Sequence, residues 1–301
     1  MSACAERERF VDAHGVRLRA LTSGDARAQA RPVLMLHGFT GGAESMACVA
    51  KPLAEQRCVV RLELVGHGES DAPADLAAYR MEACAEQIAC AVAALGLERP
   101  HLLGYSMGGR AALTTALAHP DLFASLVLIG ATAGLEDPAL RAARIASDEA
   151  LAERIERDGI EAFVDHWMAL PIFATQSRLG PEALAAARAE RLRNRPHGLA
   201  NSLRGMGAGA QTPQHDRLSR FERPVLLVVG EQDAKFREIA ARLEASLVDA
   251  RTLVIPGVGH AAHLEAPERF AQATNGFFAR VEARQDAPSS ARVGALPGGS
   301  A

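Results

Sequence analysis

Short apolar runs alternate with segments of helical periodicity along most of this chain, and that alternation limits the folds open to it. Apolar runs of about four to eight residues between turn signals are typical of buried strands, and apolar residues three and four apart are typical of helices. A chain that alternates the two forms a mainly parallel sheet with helices on both faces, the α/β class. The predicted strands are Val33–Leu36, Cys58–Val65, His101–Tyr105, Leu126–Ile129, Val225–Val229 and Thr252–Ile255, after a predicted hairpin of Phe10–His14 and Val16–Leu21. The predicted helices between them include Met81–Leu97, Arg110–Ala118 and Phe236–Leu247.

The stretch between Ile129 and Val225 is too long for a single crossover connection and has helical periodicity instead. Its predicted helices are Pro138–Arg157, Gly159–Met168, Pro181–Leu192 and Leu199–Met206. A helical insertion of this kind is expected to form a cap over the carboxyl ends of the strands, where open α/β sheets bind ligands. The sequence therefore predicts a core of residues 8–133 and 221–282, a helical cap of residues 134–220, and a disordered tail of residues 285–301 that is rich in Ala, Ser, Gly and Pro.

Composition argues against several classes of protein. A net charge of −3 provides no global basic field that would attract nucleic acid or an anionic membrane. The five cysteines are odd in number and lack metal-ligand spacing, which favours a reducing compartment over a disulfide framework. No secretory signal is visible, and no segment approaches the roughly 18 apolar residues of a membrane span. We therefore expect a cytoplasmic protein that is a monomer or a small homo-oligomer.

The strongest motif is a G-x-S-x-G sequence centred on Ser106, which runs from Gly104 to Gly108. It directly follows a predicted strand and directly precedes a predicted helix. In that context a strained turn lifts the serine hydroxyl into a site, and the small flanking residues allow close backbone approach. The N-terminus of the following helix directs N–H groups and a positive dipole towards a developing oxyanion. The motif predicts Ser106 as a catalytic serine.

A catalytic serine needs a base, and the base needs a carboxylate that orients it. His260 follows a predicted strand in a glycine-containing turn, and Asp233 follows another strand, so both are predicted at the same sheet edge as Ser106. Glu231 is an alternative orienting acid, and His263 is expected to be structural or to face the substrate. The two histidines have H-x-x-H spacing, but no third ligand is suitably spaced, so neither a metal nor another cofactor is expected.

The loop that begins at His37 follows the first predicted parallel strand. In hydrolase-like folds this loop supplies one N–H of the oxyanion hole, and the residue after the serine supplies the other. The oxyanion hole is therefore expected to consist of the backbone N–H groups of Phe39 and Met107. We expect the imidazoles of His37 and His67 to brace the neighbouring loops.

Together these features resemble the α/β-hydrolase superfamily over residues 8 to 282, and within it the 2-succinyl-6-hydroxy-2,4-cyclohexadiene-1-carboxylate synthases of menaquinone biosynthesis. The strings that carry the second resemblance are the elbow extended to Arg110, Arg141-Ala142-Ala143-Arg144 followed by Ser147-Asp148, Trp167 followed by Pro171-Ile172-Phe173, Arg193 five residues before Gly198, Gln211-Thr212-Pro213, and the stretches from Gly230 to Phe236 and from His260 to Glu265. One departure is that the family's Asp-x-Pro-Gly-His-Gly turn is here Glu63-Leu64-Val65-Gly66-His67-Gly68.

The resemblance implies a lyase that eliminates pyruvate from 2-succinyl-5-enolpyruvyl-6-hydroxy-3-cyclohexene-1-carboxylate. In that reaction Ser106, activated by His260 and Asp233, removes a ring proton, and the oxyanion hole stabilises charge on the succinyl carbonyl. The substrate is a small tricarboxylate, and guanidinium groups suit it because a buried unpaired carboxylate is very costly. The expected substrate-binding residues are Tyr105, Arg110, Arg144, Trp167, Arg193 and Lys235.

Two other functions remain open at this point. A carboxylesterase or related serine hydrolase would use Ser106 as a nucleophile that forms an acyl-enzyme. A non-catalytic binding module on the same fold is a further alternative, against which the intact Ser106, Asp233 and His260 count. Because one triad serves either chemistry, the pocket discriminates: convergent arginines favour the lyase, and an apolar pocket favours the esterase.

Overall fold

The structure, a computed structural model, describes residues 6–25 and 27–286. Within these residues the centre of the molecule is an eight-stranded sheet. Its strands are β1 (Arg7–Ala13), β2 (Val16–Ser23), β3 (Val33–Leu36), β4 (Val59–Leu62), β5 (His101–Tyr105), β6 (Ser125–Ile129), β7 (Val225–Gly230) and β8 (Ala250–Ile255). Their spatial order is β1-β2-β4-β3-β5-β6-β7-β8, with β1, β2 and β4 paired antiparallel and every pair from β4 to β8 parallel. The predicted α/β class is confirmed.

The apolar runs that predicted the parallel strands lie in the interior. Every residue of β3, β4, β6 and β7 is buried, because helices cover both faces of the sheet. Strand β4 is shorter than the predicted run Cys58–Val65, since the chain turns after it. The His67 N–H donates to the Leu64 carbonyl at 3.1 Å and closes that turn.

The helices are α1 (Ala47–Ala54), α2 (Met81–Ala94), α3 (Met107–Ala118), α4 (Pro138–Met168), α5 (Pro181–Leu192), α6 (Pro196–Met206), α7 (Ala234–Ser246), α8 (Ala262–Glu265) and α9 (Pro267–Asp286). One apolar cluster lies between the sheet and α2, α3 and α7, and a second lies between the other face and α1 and α9. Helix α1 was not predicted, because Pro52 interrupts its apolar periodicity. Nor was α9, whose apolar face is a narrow stripe of three phenylalanines and a valine. In the described part of the chain no helix is long and apolar enough to cross a membrane.

Helices α4 to α6 and two 3-10 segments, Pro171–Leu179 and His215–Arg220, lie between β6 and β7, where the sequence predicts the cap. Two predicted helices are arms of α4, which is kinked at Gly159 with a φ of 82°. The cap has its own apolar cluster: Ala152, Ile155, Phe163, Val164, Leu199, Ala200 and Leu203. Of the predicted tail, Gln285 and Asp286 belong to α9, and residues 287–301 lie outside the described residues.

Candidate active site

Ser106 lies at the turn between β5 and α3, with φ 51° and ψ −108°. This conformation is strained for a residue with a Cβ, and the surrounding backbone holds it in place. The Ser106 N–H donates to the Ile129 carbonyl at 2.8 Å. A Cβ at Gly104 would collide with the carbonyl of Gly108, and one at Gly108 would collide with the carbonyl of His37. The glycines of the motif therefore allow the backbone approach that presents the serine.

The serine, histidine and aspartate predicted from sequence converge at the carboxyl edge of the sheet. The Ser106 Oγ lies 3.2 Å from the His260 Nε2, and the His260 Nδ1 lies 2.7 Å from the Asp233 Oδ2. With Nδ1–H donating to the carboxylate, Nε2 is free to accept the serine proton. Glu231, the alternative acid, accepts instead from the Gly257 N–H at 2.8 Å. The geometry is therefore that of a serine, base and orienting acid.

Neighbouring groups fix the orientation of both partners of the serine. Asp233 caps α7, because its Oδ1 accepts from the Phe236 N–H at 3.2 Å while its Oδ2 holds the imidazole. The rings of Phe236 and Tyr105 lie against His260, with centroids 4.6 and 5.4 Å away. Tyr105 was predicted to bind substrate, but its ring lies beside His260 and His263 and does not line the cavity. That prediction is corrected: Tyr105 packs beside the base instead.

The two residues predicted to form the oxyanion hole both belong to the cavity wall. Phe39 follows β3 and Met107 begins α3, and both residues line the cavity beside Ser106. Among the described residues neither N–H donates a hydrogen bond within the protein. His37 braces this region as expected, since its Nδ1–H donates to the Gly38 carbonyl at 2.8 Å and its Nε2 accepts from the Leu64 N–H at 3.0 Å.

The triad opens into a cavity of about 630 Å³ between the sheet edge and the cap. Its lining carries four cationic side chains and one carboxylate: Arg110, Arg144, Arg154, Lys235 and Asp148. Aromatic and aliphatic side chains from the cap, among them Trp167 and Phe173, form an apolar wall opposite. The indole Nε1–H of Trp167 is buried and has no hydrogen-bond partner in the described chain. This cavity can accept a molecule that has several carboxylates and an apolar ring.

Two cations of this cavity, Arg110 and Arg144, lie near one buried acid, Asp148. The Arg144 Nε donates to the Asp148 Oδ1 at 2.8 Å, and the other oxygen of Asp148 is buried with no hydrogen-bond partner in the described chain. Burial raises the pKa of Asp148, against the opposing effect of Arg144. Arg110 donates to the Gln211 Oε1 at 3.0 Å, and burial followed by repulsion from Arg144 lowers its pKa to about 10. A guanidinium with that pKa is still charged at neutral pH, so an anion that enters this lobe relieves the repulsion between two neighbouring cations.

Arg193 was predicted as a substrate-binding cation, and the structure does not bring it into the cavity. Its guanidinium is about 41% exposed and is held by Glu44, at 3.1 Å, and by Glu69. Because its charge is already paired with two carboxylates outside the cavity, Arg193 is poorly placed to bind a carboxylate of the substrate. The sequence string was correct in placing Arg193 in the cap, but it contains no information on the carboxylates of the core that bind it.

Arg154 also lines the cavity, although it was not among the predicted binding residues. It follows Arg144 on the same helix at a spacing that includes Ser147, Asp148 and Leu151, which all line the cavity. Steps of three and four residues keep side chains on one face of a helix. That periodicity, applied to the first arm of α4, could have identified Arg154. Its only ion pair in the described chain is with Asp158 at 3.5 Å.

In the part of the chain that the structure describes, no three side chains of His, Cys, Asp or Glu are grouped so that they could hold a metal ion. The second histidine of the H-x-x-H pair, His263, is buried against Tyr105 and Phe270, and neither of its ring nitrogens has a protein partner in that part. Burial lowers its pKa to about 3, so the ring is neutral at physiological pH. His263 is thus a packed neutral residue behind the base.

The chain matches the family model of the alpha/beta hydrolase fold over residues 31–267. It is 38% identical to a provisionally named 2-succinyl-6-hydroxy-2,4-cyclohexadiene-1-carboxylate synthase of Bacillus subtilis (strain 168), covering 89% of this chain and 96% of that protein. It is 32% identical to the synthase of that name from Enterobacter sp. (strain 638), covering 78% and 86%.

A solved structure of MenH from S. aureus superposes with a TM-score of 0.83 at 27% identity, covering 87% of this chain and 98% of that one. A thermophilic esterase from Thermogutta terrifontis, solved with malate bound, superposes with a TM-score of 0.78 at 26% identity, covering 92% and 99%. Sequence and structure thus agree on the superfamily. The relatives from Bacillus subtilis and Enterobacter, at 38% and 32% identity, are both named as the same synthase. The chain belongs to the α/β-hydrolase family and, within it, to the 2-succinyl-6-hydroxy-2,4-cyclohexadiene-1-carboxylate synthases.

Proposed function

We propose that this protein eliminates pyruvate from 2-succinyl-5-enolpyruvyl-6-hydroxy-3-cyclohexene-1-carboxylate to give 2-succinyl-6-hydroxy-2,4-cyclohexadiene-1-carboxylate, a step of menaquinone biosynthesis. The observation that carries the proposal is a serine triad that opens into a cavity with four cations and a single carboxylate. An ester with an apolar acyl chain cannot pair with four cations, whereas the carboxylates of a tricarboxylate can. The names of the relatives point to the same substrate class.

The reaction requires removal of a ring proton next to the succinyl carbonyl. His260 accepts the Ser106 proton through Nε2, and Asp233 stabilises the imidazolium that results. The serine oxygen then takes the ring proton, and the electron pair moves into the carbonyl to form an enolate. The N–H groups of Phe39 and Met107 bind that developing oxyanion. Collapse of the enolate breaks the carbon–oxygen bond to the enolpyruvyl group, which departs as the enolate of pyruvate. The proton held on His260 neutralises this enolate to give pyruvate and returns the triad to its starting state.

The cavity supplies binding as well as acid–base chemistry. Arg110 and Arg144 form one cationic lobe, while Arg154 and Lys235 add separate charges at other positions of the lining. We propose that these groups hold the carboxylates and that the unpaired Nε1–H of Trp167 donates to the substrate. No cofactor enters this scheme, since the triad and the oxyanion hole supply the base and the electrophile.

The test is release of pyruvate by the purified protein from the enolpyruvyl substrate, with spontaneous loss subtracted. Ser106→Ala removes the base and is expected to lower the rate at least 1,000-fold, a loss of the order reported for removal of a triad member, with an unchanged melting temperature. Ser147→Ala, which changes a serine of the cavity wall, is the matched control and should keep most of the activity. Full activity of the Ser106 variant would refute the mechanism.

A serine hydrolase is the second candidate, because the same triad can form an acyl-enzyme and the esterase from Thermogutta terrifontis has the same fold. The apolar wall that includes Trp167 and Phe173 is the observation in its favour. A panel of p-nitrophenyl esters tests it alongside the pyruvate assay. Fast Ser106-dependent hydrolysis of esters without pyruvate release would assign the protein to the hydrolases.

We also propose a cytoplasmic location. The cysteines of the described chain, Cys48, Cys58, Cys84 and Cys90, are all free thiols, which fits a reducing compartment. All three triad residues and both oxyanion donors belong to one chain, so activity needs no second subunit, and a monomer or a small homo-oligomer fits equally. Fractionation of cells followed by detection of the protein tests the location.

A further inference from the structure

The loop that carries the Phe39 N–H needs external support. Residues 37–45, called here the oxyanion loop, connect β3 to the segment before α1 and have no regular structure up to residue 43. Thr40 within the loop has a φ of 69°, in the left-handed region that a β-branched residue avoids. Such a conformation persists only where neighbouring groups hold it. The contacts made by the loop therefore determine where its N–H groups point.

One of these contacts comes from the cap, through a single buried amide. Asn194 follows α5 and is 4% exposed. Its Nδ2 donates to the Thr40 carbonyl at 2.8 Å and to the Arg191 carbonyl at 3.0 Å, while its Oδ1 accepts from the Gly68 N–H at 2.9 Å. Asn194 thus joins the oxyanion loop to the turn at residues 66–70 and attaches both to the end of α5.

Several other cap residues also contact the loop, among them Glu190 and Trp167. The carboxylate of Glu190 accepts from the Ser45 N–H at 2.7 Å, at the far end of the loop. The Trp167 ring packs edge-on against the Phe39 ring, with centroids 5.2 Å apart. The cap therefore touches the oxyanion loop at its start, middle and end. Only the middle contact is a hydrogen bond to the residue next to Phe39.

We propose that Asn194 is a positioning residue, which holds the oxyanion loop so that the Phe39 N–H faces the developing oxyanion. An oxyanion hole works because its donors are in place before charge develops, and a misplacement of about 1 Å costs on the order of 100-fold in rate. The arrangement makes the oxyanion hole depend on how the cap is seated. The inference rests on the proposed function only in taking the Phe39 N–H as an oxyanion donor.

The experiment compares three variants of the full chain. Asn194→Ala removes all three hydrogen bonds, and Asn194→Asp keeps the acceptor for the Gly68 N–H while losing the donor to Thr40. Asn201→Ala is the matched control, because Asn201 is also a cap asparagine that bonds to a core carbonyl, that of Pro73, at 3.4 Å, without touching the oxyanion loop. The readouts are kcat and KM for pyruvate release, the melting temperature, and the rate constant for phosphonylation of Ser106 by an alkyl fluorophosphonate.

Phosphonylation is included because its transition state places an oxyanion in the same hole and needs no native substrate. We expect Asn194→Ala to lower kcat and the phosphonylation rate 10- to 100-fold, with less than a threefold change in KM. Asn194→Asp should show a loss of similar size, since a carboxylate next to the Thr40 carbonyl repels it. Asn201→Ala should stay within twofold of the unmodified protein in both assays.

A folded Asn194→Ala protein with kcat and phosphonylation within twofold of the unmodified protein would overturn the proposal. So would a change confined to KM, or an equal loss in Asn201→Ala, since either would mark a general effect on cap stability. If Asn194→Ala does not fold, Asn194→Asp decides between the same outcomes. Should the unmodified protein release no pyruvate, the proposed function fails, and the phosphonylation rates still test Asn194.

Discussion

The charged residues of the cavity distinguish the two candidate reactions of this triad, elimination of pyruvate and hydrolysis of an ester. The lining of the cavity brings four cations to one side of Ser106, although the chain as a whole carries a net charge of −3. Arg110 and Arg144 form a pair whose mutual repulsion is only partly offset by Asp148. Arg154 pairs with Asp158 at a longer distance, 3.5 Å, and Lys235 makes no ion pair within the described chain, so both can turn to a ligand. A substrate with several carboxylates balances this set, and a neutral ester does not.

Arg154 provides the sharper test of that reasoning, since it was identified only from the structure. Arg154→Gln removes one cation from the cavity wall and should raise KM for the tricarboxylate about 5- to 50-fold, equivalent to roughly 1–2 kcal/mol for one charged hydrogen bond. Arg157→Gln is the control, because Arg157 lies on the same helix and also pairs with Asp158, at 2.8 Å, but does not line the cavity. Steady-state kinetics of the two variants measure the difference. Equal kinetics would remove Arg154 from the binding set.

The residues of the triad were predictable, and most of the binding residues were only partly so. Ser106, Asp233 and His260 each follow a strand of a parallel sheet, so the topology brings them to one edge once the strands are identified. Arg193 shows where this reasoning ends, because its position depends on Glu44 and Glu69, which lie far away in sequence. Tyr105 shows a second limit: the ring of the residue before the serine packs against His260 and His263 and is not part of the cavity lining.

At the scale of elements, the end of α5 joins cap and core. Glu190 is partly buried there, and its carboxylate accepts from the Ser45 N–H, on the oxyanion loop. Burial, with repulsion from Glu44, raises the pKa of Glu190 to about 7. Arg191 and the neighbouring backbone N–H groups oppose that rise without cancelling it. The junction is therefore most favourable when this acid is protonated.

The pH dependence of stability tests this reading of the junction. Because the pKa of Glu190 is raised in the folded state, its protonated form contributes stability that is fully present below about pH 4.5. That contribution is lost as the pH rises through 7. Glu190→Gln keeps the acceptor oxygen and removes the charge. At pH 8 the free energy of unfolding of this variant should exceed that of the unmodified protein by about 1–3 kcal/mol, and near pH 5 the two values should be the same. Denaturant unfolding at both pH values measures this. Glu182→Gln, an exposed acid of the same helix, is the control and should shift neither value.

Element boundaries followed from sequence wherever the signal was local. Strands β3, β5 and β6 differ from their predicted ranges by at most one residue, because a buried parallel strand is a continuous apolar run. Helix α9 was missed because its apolar residues form one narrow stripe in a charged segment. Its packing face is defined by the sheet it covers, which no local window contains.

At the scale of the whole molecule, the active site and the anchor of the last helix lie at opposite ends of the strands. At the amino ends of β5 and β6, the His101 imidazole bonds to the Ser125 hydroxyl at 2.7 Å and to the Glu282 carboxylate at 3.1 Å. The arrangement repeats the order of a catalytic triad, but Ser125 and His101 have no solvent exposure. Arg57 completes the group by donating to the same carboxylate at 2.7 Å. This cluster attaches α9 to the sheet and has no chemistry to perform.

Stability of the fold should therefore depend on Glu282 without any effect on catalysis. Arg57 and His101 hold the pKa of Glu282 at about 2 despite its partial burial, so its contribution is present above about pH 4.5 and is lost as the pH falls towards 2. Glu282→Gln should lower the free energy of unfolding by about 2–3 kcal/mol at pH 7, and the difference should shrink below pH 4. Glu268→Gln, an exposed acid at the start of α9, is the control and should change little.

Because the cluster lies at the end of the sheet away from the triad, kcat and KM of the Glu282 variant should equal those of the unmodified protein at temperatures where it is folded. A loss of kcat without a loss of stability would show that the two ends of the sheet are coupled.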